Sequence, residues 1–490
     1  MNDHSLLQSL NEAQQKVVSA PQMHLLVLAG AGSGKTRVLV HRIAWLVNVE
    51  NISPHNILAV TFTNKAAGEM RHRLECLLDI PMKMMWVGTF HGLAHRLLRQ
   101  HWEAAGLIQT FQILDSDDQH RIIKRILTSL NLDEAQWAAK KVQWFINQQK
   151  DEGIRPHQIA NTQDPYTKTL IRIYQAYEDI CVRNGVIDFA ELILRSYDLF
   201  IKNPEILQHY QERFRHILVD EFQDTNTIQY AWLKLLGGEK SCLMIVGDDD
   251  QSIYGWRGAR VKNIQDFTRD FPENQVIRLE QNYRSTGVIL AAANALISHN
   301  DGRLGKKLWS SGKQGDLISL YGAFNDLDEA RFIVNQIKQG LKKEILANEV
   351  AILYRSNAQS RVLEEALIQS QIPYRIYGGL RFFERAEIKD SLAYLRLIAN
   401  RNDDPAFERI VNTPTRGIGE QTLQMLRMEA RTEGISLWQA AQQLLSKQTL
   451  SGRAANALTF FVQLIDKMDD ETKTLPLAEQ TEQVLYSSGL

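Results

Sequence analysis

Cysteine is scarce: Cys76, Cys181 and Cys242 are the only three in 490 residues, and they lie far apart. That spacing excludes a disulfide framework and the paired ligands of a zinc site, and it fits a reducing, cytosolic setting. An excess of either charge is lacking as well. With 56 Lys and Arg against 57 Asp and Glu the formal net charge is -1, so a polyanion has to be held by locally clustered cations rather than by a basic field. No stretch approaches the roughly 18 consecutive apolar residues of a membrane span. Met1 to Ser9 has no basic region followed by an apolar one, so a soluble, unexported, cytoplasmic protein is expected. Repeats and low-complexity segments are missing, and Pro and Gly are scattered rather than gathered into a linker.

What is present is apolar material for several cores. Hydrophobic residues make up 44% of the chain, and single cores rarely grow beyond roughly 250 to 300 residues, so more than one domain is expected. Six short apolar runs, Leu25–Ala29, Ile57–Phe62, Trp86–Thr89, Ile217–Asp220, Leu243–Gly247 and Val276–Leu279, read as strands. Their near-continuous apolar character suits a parallel sheet covered on both faces. Between the third and fourth runs lies a long block of helical periodicity, as in His120–Leu130 and Leu170–Ile180, which reads as an insertion. A second alternation follows Asn282: strand-like Leu317–Tyr321, Val350–Tyr354 and Tyr374–Tyr377, with helix-like Leu327–Gly340 and Gln359–Gln369 between them. From Arg381 the pattern turns helical again.

The first run delivers Ala29-Gly30-Ala31-Gly32-Ser33-Gly34-Lys35-Thr36, followed by helix-like Arg37–Val47. This is a phosphate loop in the right context. Small residues let successive backbone N–H groups turn toward a polyphosphate and the helix N-terminus adds positive potential. Lys35 reaches the outer phosphates, and Thr36 offers its hydroxyl to magnesium. The strict pattern has Gly where Ala29 stands, a mild departure. The fourth run ends in Asp220-Glu221-Phe222-Gln223-Asp224. Adjacent parallel strands would bring Asp220 toward the magnesium held by Thr36 and leave Glu221 to polarise an attacking water.

Further segments occur in a fixed order: Leu10-Asn11 with Gln14, Phe62-Thr63-Asn64-Lys65-Ala66-Ala67, Gly88-Thr89-Phe90-His91, Asp220 to Thr225, Val246 to Ala259 and Gln281-Asn282-Tyr283-Arg284-Ser285. In this order they resemble the UvrD/Rep family of superfamily one helicases, and the likeness runs from Leu10 to the C-terminus without a large gap. The resemblance implies an α/β fold of tandem RecA-like P-loop motor domains, each with a helical insertion. It divides the chain into a first motor (1–90 with 215–280), an insertion (91–214), the N-terminal part of a second motor (281–378) and a partial second insertion (379–490). ATP and Mg2+ are the implied cofactors. Gln14 resembles the adenine-reading residue, Tyr283 the ring that stacks on adenine, Arg37 another nucleotide contact, Gln251 the sensor of the terminal phosphate and Arg284 the cation presented to it.

The implied partners are single-stranded DNA and single/double-strand junctions. Exposed rings are the sequence-tolerant way to hold a single strand, and Phe62, Tyr254 and Trp256 stand beside Asn64, Arg257 and Arg260. His91 is a weaker candidate. Arg355, at the end of a strand-like run, resembles the next strand-contacting segment, and Gly417 and Gly419 resemble a turn that lets peptide N–H groups approach duplex phosphates. The family's later segments, a His-x-Ala-Lys-Gly-Leu stretch and an arginine within Tyr-Val-Ala-x-Thr-Arg, do not occur. An incomplete second motor and a slowed or absent turnover are therefore expected. The resemblance implies a 3'-5' helicase of DNA repair or replication restart, bacterial and nucleoid-associated, monomeric or weakly dimeric, with repair or replication proteins as further partners. The alternatives are the motor part of a helicase-nuclease and a non-catalytic fragment that binds ATP and single-stranded DNA.

Overall fold

A computed structural model describes residues 6–78, 80–81, 85–159, 163–377, 386–450 and 452–490. Arg381, where the last helical stretch was expected to begin, lies outside them. The chain separates into two compact units, 1–316 and 317–490.

The first unit is built on a six-stranded parallel sheet. Its strands are β1 (Leu25–Ala29), β2 (Ile57–Thr61), β3 (Trp86–Thr89), β6 (His216–Val219), β7 (Cys242–Gly247) and β8 (Gln275–Leu279), in the order β3-β2-β6-β7-β1-β8. All six apolar runs became strands. Alternate residues feed opposite cores, as the two-residue period of a strand requires: Leu26, Leu28, Leu58, Val60, Ile217 and Ile245 on one face, and Leu25, Val27, Ile57, Ala59, Leu218 and Val246 on the other. The expectation of full cover fails for β8. As an edge strand it leaves Val276 40% exposed and buries only Leu279.

Strand order also corrects the expected adjacency of the loop strand and the acid strand. β7 pairs with both β1 and β6 and stands between them. Thr36 still reaches Asp220, because it sits on the helix Lys35–Asn48 that leaves β1 rather than on the strand itself.

The block between β3 and β6 is helical, with its own core around Ile122, Ile146, Ile173 and Tyr177. It also holds a two-residue parallel pair, β4 (Gln112–Ile113) and β5 (Val186–Ile187), too short to leave a periodic trace. Next to this core a buried ion network replaces apolar packing. Lys150 Nζ lies 2.8 Å from Asp188 Oδ2 and 2.9 Å from both Glu178 Oε1 and Glu191 Oε2. Arg155 bonds both oxygens of Glu191 at 2.9 Å. Burial alone would raise the Glu191 carboxyl, but Lys150 and Arg155 outweigh it and hold its pKa well below the carboxylate range.

In the second unit the helices Asp326–Lys342 and Ser360–Gln369 form as the periodicity indicates. The strand-like runs Leu317–Tyr321, Val350–Tyr354 and Tyr374–Tyr377 do not become strands. They are without ladder partners among the described residues, and several of their side chains stand in solvent, Leu320 at 98% and Leu353 at 93% exposure. An extended segment becomes a strand only when a neighbour takes its N–H and C=O groups. The helices from Ala386 onward share a separate core around Tyr394, Phe407, Trp438 and Phe461. Among the described residues no helix is long and apolar enough to cross a membrane.

Candidate functional site

The loop after β1 turns through two left-handed glycines, Gly32 at φ 66° and Gly34 at φ 88°. Space demands glycine as well: a Cβ at Gly32 would meet Asn282 Nδ2 at 2.6 Å, and one at Gly34 would meet Gln14 Nε2 at 2.9 Å. The Ser33 hydroxyl turns inward and donates to the Gly30 carbonyl at 2.7 Å. Ala29 is buried in the sheet. Lys35 opens the following helix and is itself buried at 9% exposure. Its ammonium lies 3.0 Å from Glu221 Oε2, yet it makes no aligned hydrogen bond. A buried cation so poorly satisfied at a helix N-terminus fits an anion between loop and acid.

The acids close the other side. Thr36 Oγ1 donates to Asp220 Oδ2 at 3.2 Å. Burial, reinforced by the neighbouring Glu221 charge, pushes the Asp220 carboxyl up to about 6 against the opposing pull of Lys35 and its hydrogen bonds. A hard cation there would remove that penalty, so Thr36 and Asp220 suit magnesium. Glu221 occupies the left-handed region at φ 51°, uncommon for a non-glycine residue and a mark of local strain. The turn aims its carboxylate at Lys35.

Two polar residues that the sequence reading passed over complete the site. Gln223, fully buried, donates to Glu221 Oε2 at 2.8 Å and accepts from the Asp248 backbone N–H at 2.9 Å. Asp248 in turn accepts from the Gln251 side-chain amide. The acid at the end of β6 is thereby wired to the turn after β7. The position of Gln223 within Asp220–Asp224 was the available signal.

The remaining nucleotide candidates gather around the loop. Tyr283 is 54% exposed, with its backbone N–H bonded to Gly32 O at 2.9 Å and its hydroxyl accepting from Asn11 Nδ2 at 2.6 Å. Arg284 is exposed, and its Cβ lies 2.7 Å from where a Gly32 Cβ would stand. Gln14 donates to Ser33 O at 2.9 Å and accepts from Asn11 N–H, so part of its amide already serves the loop. Arg37 donates to Ser9 O at 2.9 Å from an exposed position.

A second surface of the first unit carries the aromatic candidates. Phe62 and Tyr254 stack at 5.0 Å between centroids. Trp256, 70% exposed, lies 6.5 Å from Tyr254, and the Arg257 guanidinium sits 4.6 Å over the Trp256 ring. Asn64 is exposed in the first turn of the helix that follows Phe62. Arg260 differs from expectation: its guanidinium is paired with Glu152 at 2.6 Å, which ties this loop to the insertion. His91 packs edge-on against Phe189 at 6.1 Å. Its surroundings push the imidazole down to about 4 by desolvation.

In the second unit, Arg355 is exposed. Gly417 is left-handed at φ 81°, and Gly419 caps the helix Glu420–Glu433. Asn412 Oδ1 holds the turn between them through the N–H groups of Arg416 and Ile418.

Comparison with known proteins agrees with this arrangement over most of the chain. Residues 10–272 match the UvrD/REP helicase N-terminal domain and residues 277–477 the UvrD-like helicase C-terminal domain. The chain is 63% identical to DNA helicase II of Escherichia coli (strain K12) over 485 residues, which is 99% of this chain and 67% of that protein. It is 57% identical to DNA helicase II of Haemophilus influenzae over 494 residues, 100% of this chain and 68% of that protein. With the ATP-dependent DNA helicase PcrA of Bacillus subtilis (strain 168) it shares 43% over 487 residues, 98% of this chain and 65% of that protein.

Proposed function

The chain belongs to the UvrD/REP helicase family, and on that premise we propose that it is an ATP-dependent DNA helicase that moves 3' to 5' along single-stranded DNA in repair or replication restart. The fold class is that of the family, α/β with tandem RecA-like P-loop motor domains. The observation that carries the proposal is the convergence of Lys35, Thr36, Asp220 and Glu221, from two strands that are not neighbours, around one poorly satisfied buried ammonium. We further propose that the motor comprises residues 1–90 and 215–280, with 91–214 inserted, and that 281–378 and 379–490 belong to the second motor and its insertion.

Each residue contributes a distinct share of the chemistry. Backbone N–H groups of Gly30 to Gly34 and the helix N-terminus cradle phosphates, and Lys35 gives a point charge to the outer ones. Thr36 and Asp220 would hold a magnesium ion, which when bound would supply positive charge to the transferred phosphoryl group. Once Lys35 turns to phosphate, Glu221 loses that ion pair, and with Gln223 still donating to it the carboxylate can orient a water and accept its proton. Gln251 and Arg284 face the terminal phosphate, Tyr283 stacks on the base, and Gln14 and Arg37 complete the nucleotide contacts. Phe62, Tyr254 and Trp256 stack on the bases of a single strand while Asn64, His91, Arg257 and Arg355 contact its backbone. Gly417 and Gly419 approach the duplex side of a junction.

The test is ATP hydrolysis with and without single-stranded DNA, followed by displacement of partial duplexes with a 3' or a 5' single strand. Stimulation by DNA and displacement from the 3' side are expected. Lys35→Ala is expected to weaken ATP binding by roughly 2 to 5 kcal/mol, the cost of truncating a buried charged contact, with the fold intact. Binding of both ligands without stimulated hydrolysis would reduce the chain to a binding module.

A further inference from the structure

Asp248, Asp249 and Asp250 stand close enough together to ligate a cation, and the cation that meets them is a side chain. Lys306 is buried and its ammonium lies 2.6 Å from Asp248 Oδ1 and 3.3 Å from Asp250 Oδ2, with Asp249 Oδ1 as a third contact. Arg303 adds a two-pronged pair to Asp250 at 2.7 Å on each arm, and Leu304 N–H donates to Asp249 Oδ2 at 2.8 Å. Burial would pull the Lys306 ammonium down, but Asp248 and Asp249 outweigh it and keep it charged.

The segment that carries Lys306 touches the phosphate loop, the stretch before Arg284 and the Asp248–Asp250 turn. Gly302 and Gly305, both left-handed, fold it into a turn. Leu308 packs so tightly on the phosphate loop that a Cβ at Gly30 would come within 2.1 Å of its Cδ2. Trp309 bridges the segment before Arg284: Asn282 N–H donates to Trp309 O at 2.8 Å and Trp309 N–H to Glu280 O at 3.1 Å. On the other side, Asp248 holds the Gln251 amide with one oxygen and Lys306 with the other. Three residues beyond Gln251 comes Tyr254, the inner ring of the aromatic surface.

Resting on the helicase reading above, we propose that Lys306 is a positioning residue that couples the nucleotide site to the single-strand surface by fixing the Asp248–Asp250 turn against the segment seated on the phosphate loop. The physical reason is exchange of partners. Gln251 donates to Asp248 in this structure; when that amide turns to a terminal phosphate, Lys306 keeps the Asp248 carboxylate neutralised while the turn and its aromatic extension shift together. Without Lys306 the Asp248 and Asp249 carboxylates lose their shared cation and repel one another, Arg303 staying on Asp250, and the turn no longer reports the state of the loop.

The test measures linkage without turnover: affinity for oligo(dT) with and without a non-hydrolysable ATP analogue, and affinity for the analogue with and without oligo(dT), on the full chain. The two ratios must agree, because coupling between sites is reciprocal. Lys306→Met is expected to bind each ligand alone as wild type does and to bring the ratio to one. Since the lone substitution strands buried carboxylates, Lys306→Met with Asp249→Asn serves as the companion, losing one charge of each sign. It is expected to recover the wild-type melting temperature but not the coupling. A wild-type ratio in a folded variant, a wild-type ratio of one, or failure of the companion to fold each overturns the proposal. Failure of the wild type to bind either ligand overturns the helicase reading itself.

Discussion

Trp256 tests whether the aromatic surface is a stacking platform or packing. Its ring is largely exposed and supported from one side by Arg257, so its removal takes little from the core. Trp256→Ala is expected to weaken single-stranded DNA binding by about 1 to 3 kcal/mol, with little base preference and an unchanged melting temperature. Fluorescence anisotropy with homopolymer oligonucleotides checks it. An early-melting variant with normal DNA affinity would assign Trp256 to the fold. Asp151 supports a second prediction at this scale. Burial and the nearby Asp188 and Glu152 push its carboxyl up to about 7, only partly offset by a hydrogen bond from Asn226. An acid with a raised folded pKa binds more protons folded than unfolded, so its cost to stability is absent below about pH 4, grows between about 4 and 7, and is complete above. Asp151→Asn keeps the acceptor for Asn226. It is expected to stabilise the chain at pH 8 by about 2 kcal/mol, less than the full shift because the group is partly exposed, and to do little at pH 4. Equal effects at both pH values, in denaturant melts, would show that ionisation of Asp151 is not the source of the cost.

Among the elements, the inserted helical block depends on charge where the sheet depends on apolar burial. Lys150 has three carboxylates around it and little exposure. Lys150→Met fits the space but leaves those carboxylates facing one another, and it is expected to destabilise the chain by about 3 to 5 kcal/mol. Urea unfolding checks it, and a change within error would mean the acids take up protons at no cost. The contrast explains what could be read in advance. Strands such as β1 and β7 are buried on both faces and announce themselves as apolar runs, and the phosphate loop is contiguous. β4 and β5 are two residues each, too short for any period. Strand order leaves no mark in periodicity, so the place of β7 between β1 and β6 was invisible. Lys306 and Asp249 are 57 residues apart, and nothing in either segment names the other. Leu317–Tyr321 has strand composition, but composition does not supply the neighbour that makes a strand.

At the level of the whole molecule, the first unit contains every residue proposed above for the nucleotide, Gln14, Lys35, Thr36, Arg37, Asp220, Glu221, Gln251, Tyr283 and Arg284, together with both faces of its sheet. A chain of residues 1–316 is therefore expected to melt as one cooperative transition and to bind ATP as the 490-residue chain does, checked by calorimetry of both. Loss of ATP binding in the shorter chain would show that residues beyond 316 hold the nucleotide.

The strand that carries the phosphate loop pairs only with β7 and β8, and this gives folding a timetable. On the ribosome Leu25–Ala29 emerges early, but neither neighbour exists until residues 242–279 have been made. At about 5 to 20 residues per second the loop strand waits unpaired for on the order of ten seconds or more, while β2, β3 and the helical insert are already available to one another. During that interval an apolar segment with open edges is exposed to whatever else is newly synthesised nearby. Chaperone occupancy on nascent chains should accordingly peak before Cys242 and fall once Leu279 has cleared the exit tunnel.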